Sequence, residues 1–258
     1  MVSGEEQTAS AQEAHFHGPL CITPSPMAEA TLAKVQACSA RIVEQEREYK
    51  QILADLTAAV REAMGLPAAQ VVSASSVDGR MIFVVDGALS SASVEDLYGC
   101  LRHAGFRRTN FATPSNKDFK HAICEHPMED VANTSLFRAV VQLSQVCFPE
   151  MCPLVCHRVY TNSRLFGDVS FAHRDCNSPG CVTALVYPNP EWAAELGGET
   201  FFYDEDGTVV QAAEPAPGRV VVFNGSIWHK GSPPGRLLVG PRYTTAFKLE
   251  SKGSFEEQ

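Results

Sequence analysis

Three residues in the second half of the chain have the types and spacing to hold a metal ion. His173 and Asp175 are separated only by Arg174, and a lone His229 follows well downstream. On an extended segment, side chains two apart point to one face, so His173 and Asp175 can present an imidazole and a carboxylate together. A third ligand returning on a later strand completes a two-histidine, one-carboxylate face. That set suits Fe(II), because it fills three coordination positions and leaves others open for a cosubstrate and O2. An HxD tripeptide by itself is common, so its meaning depends on the elements that position it.

Those elements read as follows. Residues 1–26 are polar and punctuated by Gly and Pro, which predicts a disordered tail. A helical region over 27–66 comes next, running from about Met27 to Met64 and stopped by Gly65 and Pro67. Its apolar stripe (Leu32, Val35, Ile42, Tyr49, Leu53, Leu56, Val60) supports either a homodimer seam or packing on the protein's own sheet. Ser39 and Glu46 interrupt the stripe and favour the second. A strand is expected at 80–85, then a helix opened by a Ser93–Asp96 capping box and ended by Gly105. A polar loop over 109–120 leads to a helix near 133–146, with Leu136, Phe137, Val140 and Leu143 facing inward. From Val155 the texture changes to short strands, near 158–161, 170–175, 183–187, 199–203, 209–213, 219–223 and 242–249, with turns at Asp206-Gly207 and Pro217-Gly218. The pattern predicts an α+β chain: a β-sandwich or jelly-roll domain over 80–250 with an N-terminal helical buttress.

Composition narrows the partners. The net charge of −9, from 21 basic and 30 acidic residues, argues against a phosphate backbone and therefore against nucleic acid. No apolar run is long enough to span a membrane. Residues 1–10 lack the charged start and apolar stretch of a secretory signal, so the expectation is a cytoplasmic protein. The nine cysteines are scattered and odd in number, which suits reduced thiols. Cys147, Cys152, Cys156 and His157 could hold zinc, but Phe148, Leu154 and Val155 between them look like core, which favours ordinary buried thiols. His15 and His17 form a weaker HxH in the tail.

Taken together, HRD (173–175), TALVYPNPEW (183–192), GGETFF (197–202), PAPGRVVVF (215–223), His229 and RYTTAFK (242–248) resemble the iron(II)/2-oxoglutarate-dependent dioxygenase superfamily, in its prolyl-4-hydroxylase-like branch. The match runs from Tyr160 to Leu249, more loosely from Arg80. The resemblance implies a double-stranded β-helix with His173, Asp175 and His229 as catalytic iron ligands. It implies that Arg242 pairs with the distal carboxylate of 2-oxoglutarate, a task suited to a planar guanidinium. Thr244 shares the face of Arg242. Tyr187 and, less directly, Tyr160 match pocket tyrosines of the family. Lys248 and Arg236 are rival anchors, the former on the Arg242 face of a regular strand and the latter in a Gly/Pro-rich loop.

The implied reaction consumes 2-oxoglutarate and O2 to give succinate and CO2, with hydroxylation of an unactivated C–H bond and with ascorbate as a stimulant. The carboxylate at Asp175 argues against halogenation, since halogenating relatives have a small residue there. The substrate is expected to be a peptidyl (prolyl-like) residue or a small molecule. Desaturation or cyclisation would use the same residues, and a non-catalytic jelly-roll binding protein is the reading from another class. The loop 230–241 and the segment between Tyr160 and His173 are longer than in the prolyl hydroxylases. Both border the pocket mouth, where Asn162, Arg164, Arg174 and Trp228 are candidates to line it.

Overall fold

In the computed structural model, residues 26–252 are described. The expected tail, with His15, His17 and Cys21, lies outside them apart from Pro26. The chain divides into residues 1–49 and 50–258. Helix α1 (Pro26–Met64) begins in the first unit, where it exposes Val35, Ile42 and Val43. From Lys50 onward it belongs to the second unit, and Leu53, Leu56 and Val60 pack into that unit's core. The part of the apolar stripe that lies in the second unit therefore packs into that unit's own core. Gly65, at φ 64°, ends α1, and the Gly65 and Leu66 N–H groups return to the carbonyls of Glu62 and Arg61.

The second unit is built on two antiparallel sheets. Strands β1 (Gln70–Val77), β2 (Arg80–Asp86), β3 (Arg107–Asn110), β4 (His121–His126), β5 (Leu154–Arg164), β6 (Cys181–Val186), β9 (Val220–Asn224) and β11 (Arg242–Ser251) form an eight-stranded sheet. Its order is β1-β2-β9-β6-β11-β5-β4-β3. Strands β7 (Thr200–Tyr203), β8 (Val209–Ala213) and β10 (Trp228–Gly231) form a three-stranded sheet in the order β10-β7-β8. Helices α2 (Ser91–Leu101), the single-turn α3 (Met128–Val131) and α4 (Ser135–Cys147) complete the unit. The architecture is the expected jelly roll with a helical layer.

Strand alternation explains where the core and the site lie. On β9, Val220 and Val222 face the helices, in a core with Val140, Leu143 and Phe148 of the α4 region. Val221 and Phe223 face the opposite way, in a second core with Phe202 and Ile227 that fills the space between the sheets. Both faces of β9 are buried, hence its unbroken apolar run. On β11, Phe247 and Leu249 belong to the helix side, so Arg242, Thr244, Ala246 and Lys248 point between the sheets. On β5, Val159 faces the helices while Tyr160, Asn162 and Arg164 take the other side.

Several local expectations need correcting. The segment 170–175 is not a strand; it joins the small sheet through a single bridge pair, His173 with His229. Strands β1, β3 and β4 were not anticipated, β10 was expected only as a later strand of no stated bounds carrying His229, and β3 and the start of β4 flank the expected polar loop. Helix α2 is capped by Ser90, whose hydroxyl accepts from the Ser93 N–H, so the capping residue lies three positions before the expected one.

Candidate functional site

The spacing-derived trio does converge. His173 Nε2 lies 3.6 Å from Asp175 Oδ1, and His229 Nε2 lies 3.5 Å from Asp175 Oδ2. Among the described residues this is the one cluster of three or more His, Cys, Asp or Glu that could hold a metal ion. The Cys147, Cys152, Cys156 and His157 group does not form such a cluster. Backbone pairing positions the trio. His173 and His229 exchange both N–H···O=C bonds, at 3.0 and 2.9 Å, and the Asp175 N–H reaches the Gly225 carbonyl at 2.9 Å. One candidate ligand segment therefore hangs on β10 of the small sheet and on the turn after β9 of the large one.

The donor atoms are in the right state for a cation. Each ring's Nδ1 is bonded to a backbone carbonyl, His173 to Phe171 at 3.1 Å and His229 to Ile227 at 2.9 Å. A carbonyl can only accept, so Nδ1 carries the proton and Nε2 turns its lone pair toward Asp175. Burial keeps both rings neutral: it pulls His173 below its ordinary value and His229 down to about 4, against the opposing pull of Asp175. Burial alone would raise Asp175, yet the Lys248 ammonium and the two imidazoles hold it well below the usual carboxylate range. Lys248 Nζ makes a short ion pair with Asp175 Oδ2, and the Thr183 hydroxyl donates to the same oxygen at 2.7 Å. In the structure, a lysine cation thus stands against the carboxylate where a metal would bind. The fit is good: two neutral nitrogens, one anionic oxygen, and a single lysine ammonium as the group to be displaced.

The inner end of the same pocket is built around Arg242. Its side chain is fully buried, with Nη2 3.4 Å from the Thr200 hydroxyl and the guanidinium carbon 5.3 Å above the Tyr187 ring. The Tyr187 hydroxyl lies 2.7 Å from the same Thr200 oxygen. Burial lowers Arg242 and raises Tyr187 from their ordinary values. Arg242 Nε and Thr244 Oγ1 are buried with no hydrogen-bond partner. Orphaned donors around a buried cation suit an incoming carboxylate. Asn189 fixes the start of β11 from both sides, accepting from the Tyr243 N–H at 2.8 Å and donating to the Pro241 carbonyl at 3.1 Å. Gly198, at φ +84°, leaves the room that Arg242 needs: a Cβ there would lie 2.8 Å from Arg242 Cδ. Two cavities serve this pocket. An outer one of about 240 Å³ reaches Arg158, Lys248 and Glu250. An inner one of about 60 Å³ runs from His173 and His229 to Arg242.

Residues 158–247 match the family model described as the 2OG-Fe(II) oxygenase superfamily. The match is to the segment that carries His173, Asp175, His229 and Arg242. No curated protein sequence matches this chain. Among solved structures, a prolyl hydroxylase from Trichoplax adhaerens, in complex with a hypoxia inducible factor oxygen degradation domain peptide fragment, is 17% identical with a TM-score of 0.52. That match covers 81% of this chain and 94% of the other. An oxidoreductase of the 2OG-Fe(II) oxygenase family from Burkholderia pseudomallei is 13% identical, with a TM-score of 0.50 and coverage of 77% and 90%. The non-heme α-ketoglutarate-dependent epimerase SnoN of nogalamycin biosynthesis is 14% identical, with a TM-score of 0.51 and coverage of 75% and 83%. At such identities the likeness is one of fold.

The pocket gathers Tyr160, Thr244 and Arg242 with the trio, and the Arg242 guanidinium lies over the Tyr187 ring. Tyr160 sits toward the mouth, with Arg158 4.3 Å above its ring and Lys248 at 5.7 Å. Of the rival anchors, Arg236 is exposed and Lys248 is committed to Asp175. Arg174 packs on Trp228 at 4.9 Å and pairs with Glu205. Thr183 and Thr200 were missed, although strand alternation from Leu185 and Phe202 would have aimed both inward. The cysteine expectation also changes. Cys176 and Cys181 form a disulfide with an S–S distance of 2.04 Å, directly after Asp175. Burial pushes the thiols of Cys147 and Cys156 up to about 12 and 11, which keeps them protonated.

Proposed function

We propose that the protein is an Fe(II)- and 2-oxoglutarate-dependent dioxygenase that hydroxylates an unactivated C–H bond of a peptidyl or small-molecule substrate. The observation that carries this reading is one pocket with two neutral imidazoles and one ionised carboxylate, from His173, His229 and Asp175, at one end and the buried Arg242, its Nε without a partner, at the other. The three side chains would hold iron(II), and Arg242, helped by Thr244, Thr200 and Tyr187, would hold the distal carboxylate of 2-oxoglutarate. When bound, iron(II) supplies the oxidation of the substrate by O2 coupled to conversion of 2-oxoglutarate to succinate and CO2.

The remaining work belongs to the chain itself. The Phe171 and Ile227 carbonyls fix both imidazole tautomers, so neither ring must lose a proton to bind the metal. Thr183 orients the Asp175 carboxylate from behind. The apolar wall of Phe202, Phe223 and Leu185 keeps water from the inner end, so the Arg242–carboxylate pair forms at low dielectric. Tyr160 and Lys248 stand between the inner and outer cavities, where a substrate enters.

The test is conversion of 2-oxoglutarate to succinate by purified protein with Fe(II) and ascorbate, beside Asp175→Ala. Wild type is expected to release succinate and retain stoichiometric iron, and the variant to do neither. Absence of both from the wild type would sink the oxygenase reading.

A further inference from the structure

The pocket holds a second buried guanidinium that the cosubstrate does not account for. Arg164 lies directly across from Arg242 in the β5–β11 register, and both line the inner cavity. The other cations of the pocket have carboxylate partners: Arg158 pairs with Glu125, Arg174 with Glu205 and Lys248 with Asp175. Arg164 and Arg242 have none within ion-pair distance among the described residues. Arg164 is 7% exposed, and its one hydrogen bond goes to the Val169 carbonyl at 3.3 Å. A buried cation without a counter-ion is costly unless an anion arrives to meet it. One anion, the distal carboxylate of 2-oxoglutarate, can satisfy one of the two.

Polar groups beside Arg164 narrow the chemistry. Two positions before it on the same strand face, Asn162 presents a buried Oδ1 with no partner. An amide oxygen only accepts, so it calls for an N–H or O–H on the ligand. His121 and Asn110 bond to each other at 3.3 Å and add no negative charge. Arg164 and Asn162 line the inner cavity, which at about 60 Å³ falls well below the ~300–1,000 Å³ of pockets for drug-sized ligands. Such a site fits a small ligand better than a chain passing through.

We propose that Arg164 and Asn162 recognise a carboxylate with an adjacent N–H or O–H on the substrate, so that the substrate is a free amino acid or a close relative of one. This rests on the oxygenase reading and narrows it. Arg164 grips the substrate carboxylate with its planar fork, Asn162 takes the amino or hydroxyl group, and the ligand's side chain extends toward the His173–Asp175–His229 face. An internal residue of a polypeptide has no carboxylate for Arg164 to hold.

The experiment loads the protein with Mn(II) and 2-oxoglutarate and follows the binding of the L-amino acids and their primary amides by saturation-transfer NMR. At least one amino acid is expected to bind at least tenfold more tightly than its amide. In Arg164→Met that preference drops below threefold, and Arg164→Lys recovers part of it. The dissociation constant of 2-oxoglutarate, measured by calorimetry, stays within threefold of wild type in both variants. Circular dichroism melts establish that each variant is folded, and Arg164→Lys serves if Arg164→Met is not. Three results overturn the proposal: no amino acid preferred over its amide in the loaded wild type, a preference that survives Arg164→Met, or a tenfold loss of 2-oxoglutarate affinity in Arg164→Met. The last would make Arg164 part of the cosubstrate clamp. A wild type that takes up neither Mn(II) nor 2-oxoglutarate fails earlier, at the oxygenase reading itself.

Discussion

The two ends of the pocket are built on opposite electrostatic terms. At the metal end every charge is matched within the chain. Asp175 takes Lys248 and the Thr183 hydroxyl, so its charge is matched before any metal arrives. At the inner end two guanidiniums are buried with no ion pair among the described residues, Asp168 and Glu199 acting on them only from farther off, and polar atoms of Arg242, Thr244 and Asn162 have no partners. The first end is stable in itself and must exchange one cation for another. The second is held in place by its neighbours and is completed by anions. Selectivity thus falls to competition at one end and to unmet need at the other.

Breaking the metal end should give the largest effect. Asp175→Ala removes the anion from a buried ion pair and leaves Lys248 stranded, so it should cost about 3–5 kcal/mol of stability, read by urea denaturation, besides abolishing metal uptake. Adding Lys248→Met should restore most of the stability and none of the metal binding. A double variant as unstable as the single would break the contrast. At the inner end the same operation should look different. Arg242→Met removes a cation that has no counter-ion, so the ligand-free protein should be as stable as wild type or up to about 1 kcal/mol more so. Its affinity for 2-oxoglutarate should meanwhile fall about 100-fold, or about 2.7 kcal/mol. The corresponding Lys248 change should alter that affinity far less.

Acidification sharpens the contrast. Burial, with Arg164 and His173 nearby, lowers His121 from an ordinary 6.5 to about 4, while the unfolded chain keeps the ordinary value. Between these values the unfolded state binds a proton that the folded state refuses. The His121 contribution to stability is therefore full above about pH 6.5 and falls by about 3 kcal/mol as pH drops toward 4. Thermal melts across this window should show a shallower loss in His121→Asn. The smallest effect is steric: Gly198→Ala sets a methyl against Arg242 and holds a positive φ, costing about 1–2 kcal/mol and weakening 2-oxoglutarate binding.

Legibility followed the same divide. His173, Asp175 and His229 could be grouped from residue type and spacing, and Arg242 and Thr244 from motif order and the alternation of a long strand. The segment 170–175 read as a strand for a sound reason, two polar side chains on one face, yet one bridge pair is all that its backbone makes. Long-range pairing decides that, and a single chain segment does not display it. Strand β1 was missed although Asp78-Gly79, at φ 51° and 76°, carries the signal of a tight hairpin turn between β1 and β2. The roles of Lys248 and Arg164 were hidden for another reason. Both stood out as basic residues near the pocket, but which of them finds an acid depends on side chains drawn from four separate strands and loops.

The reciprocal bonds between His173 and His229 have a mechanical consequence. The candidate ligands straddle the seam where the small sheet meets the turn after β9, so an ion held by all three would act as a rivet between the sheets. Chelation should then loosen that seam before it loosens the core. Protection of the His173 and His229 amides against hydrogen exchange would serve as a local gauge of whether the rivet is in place.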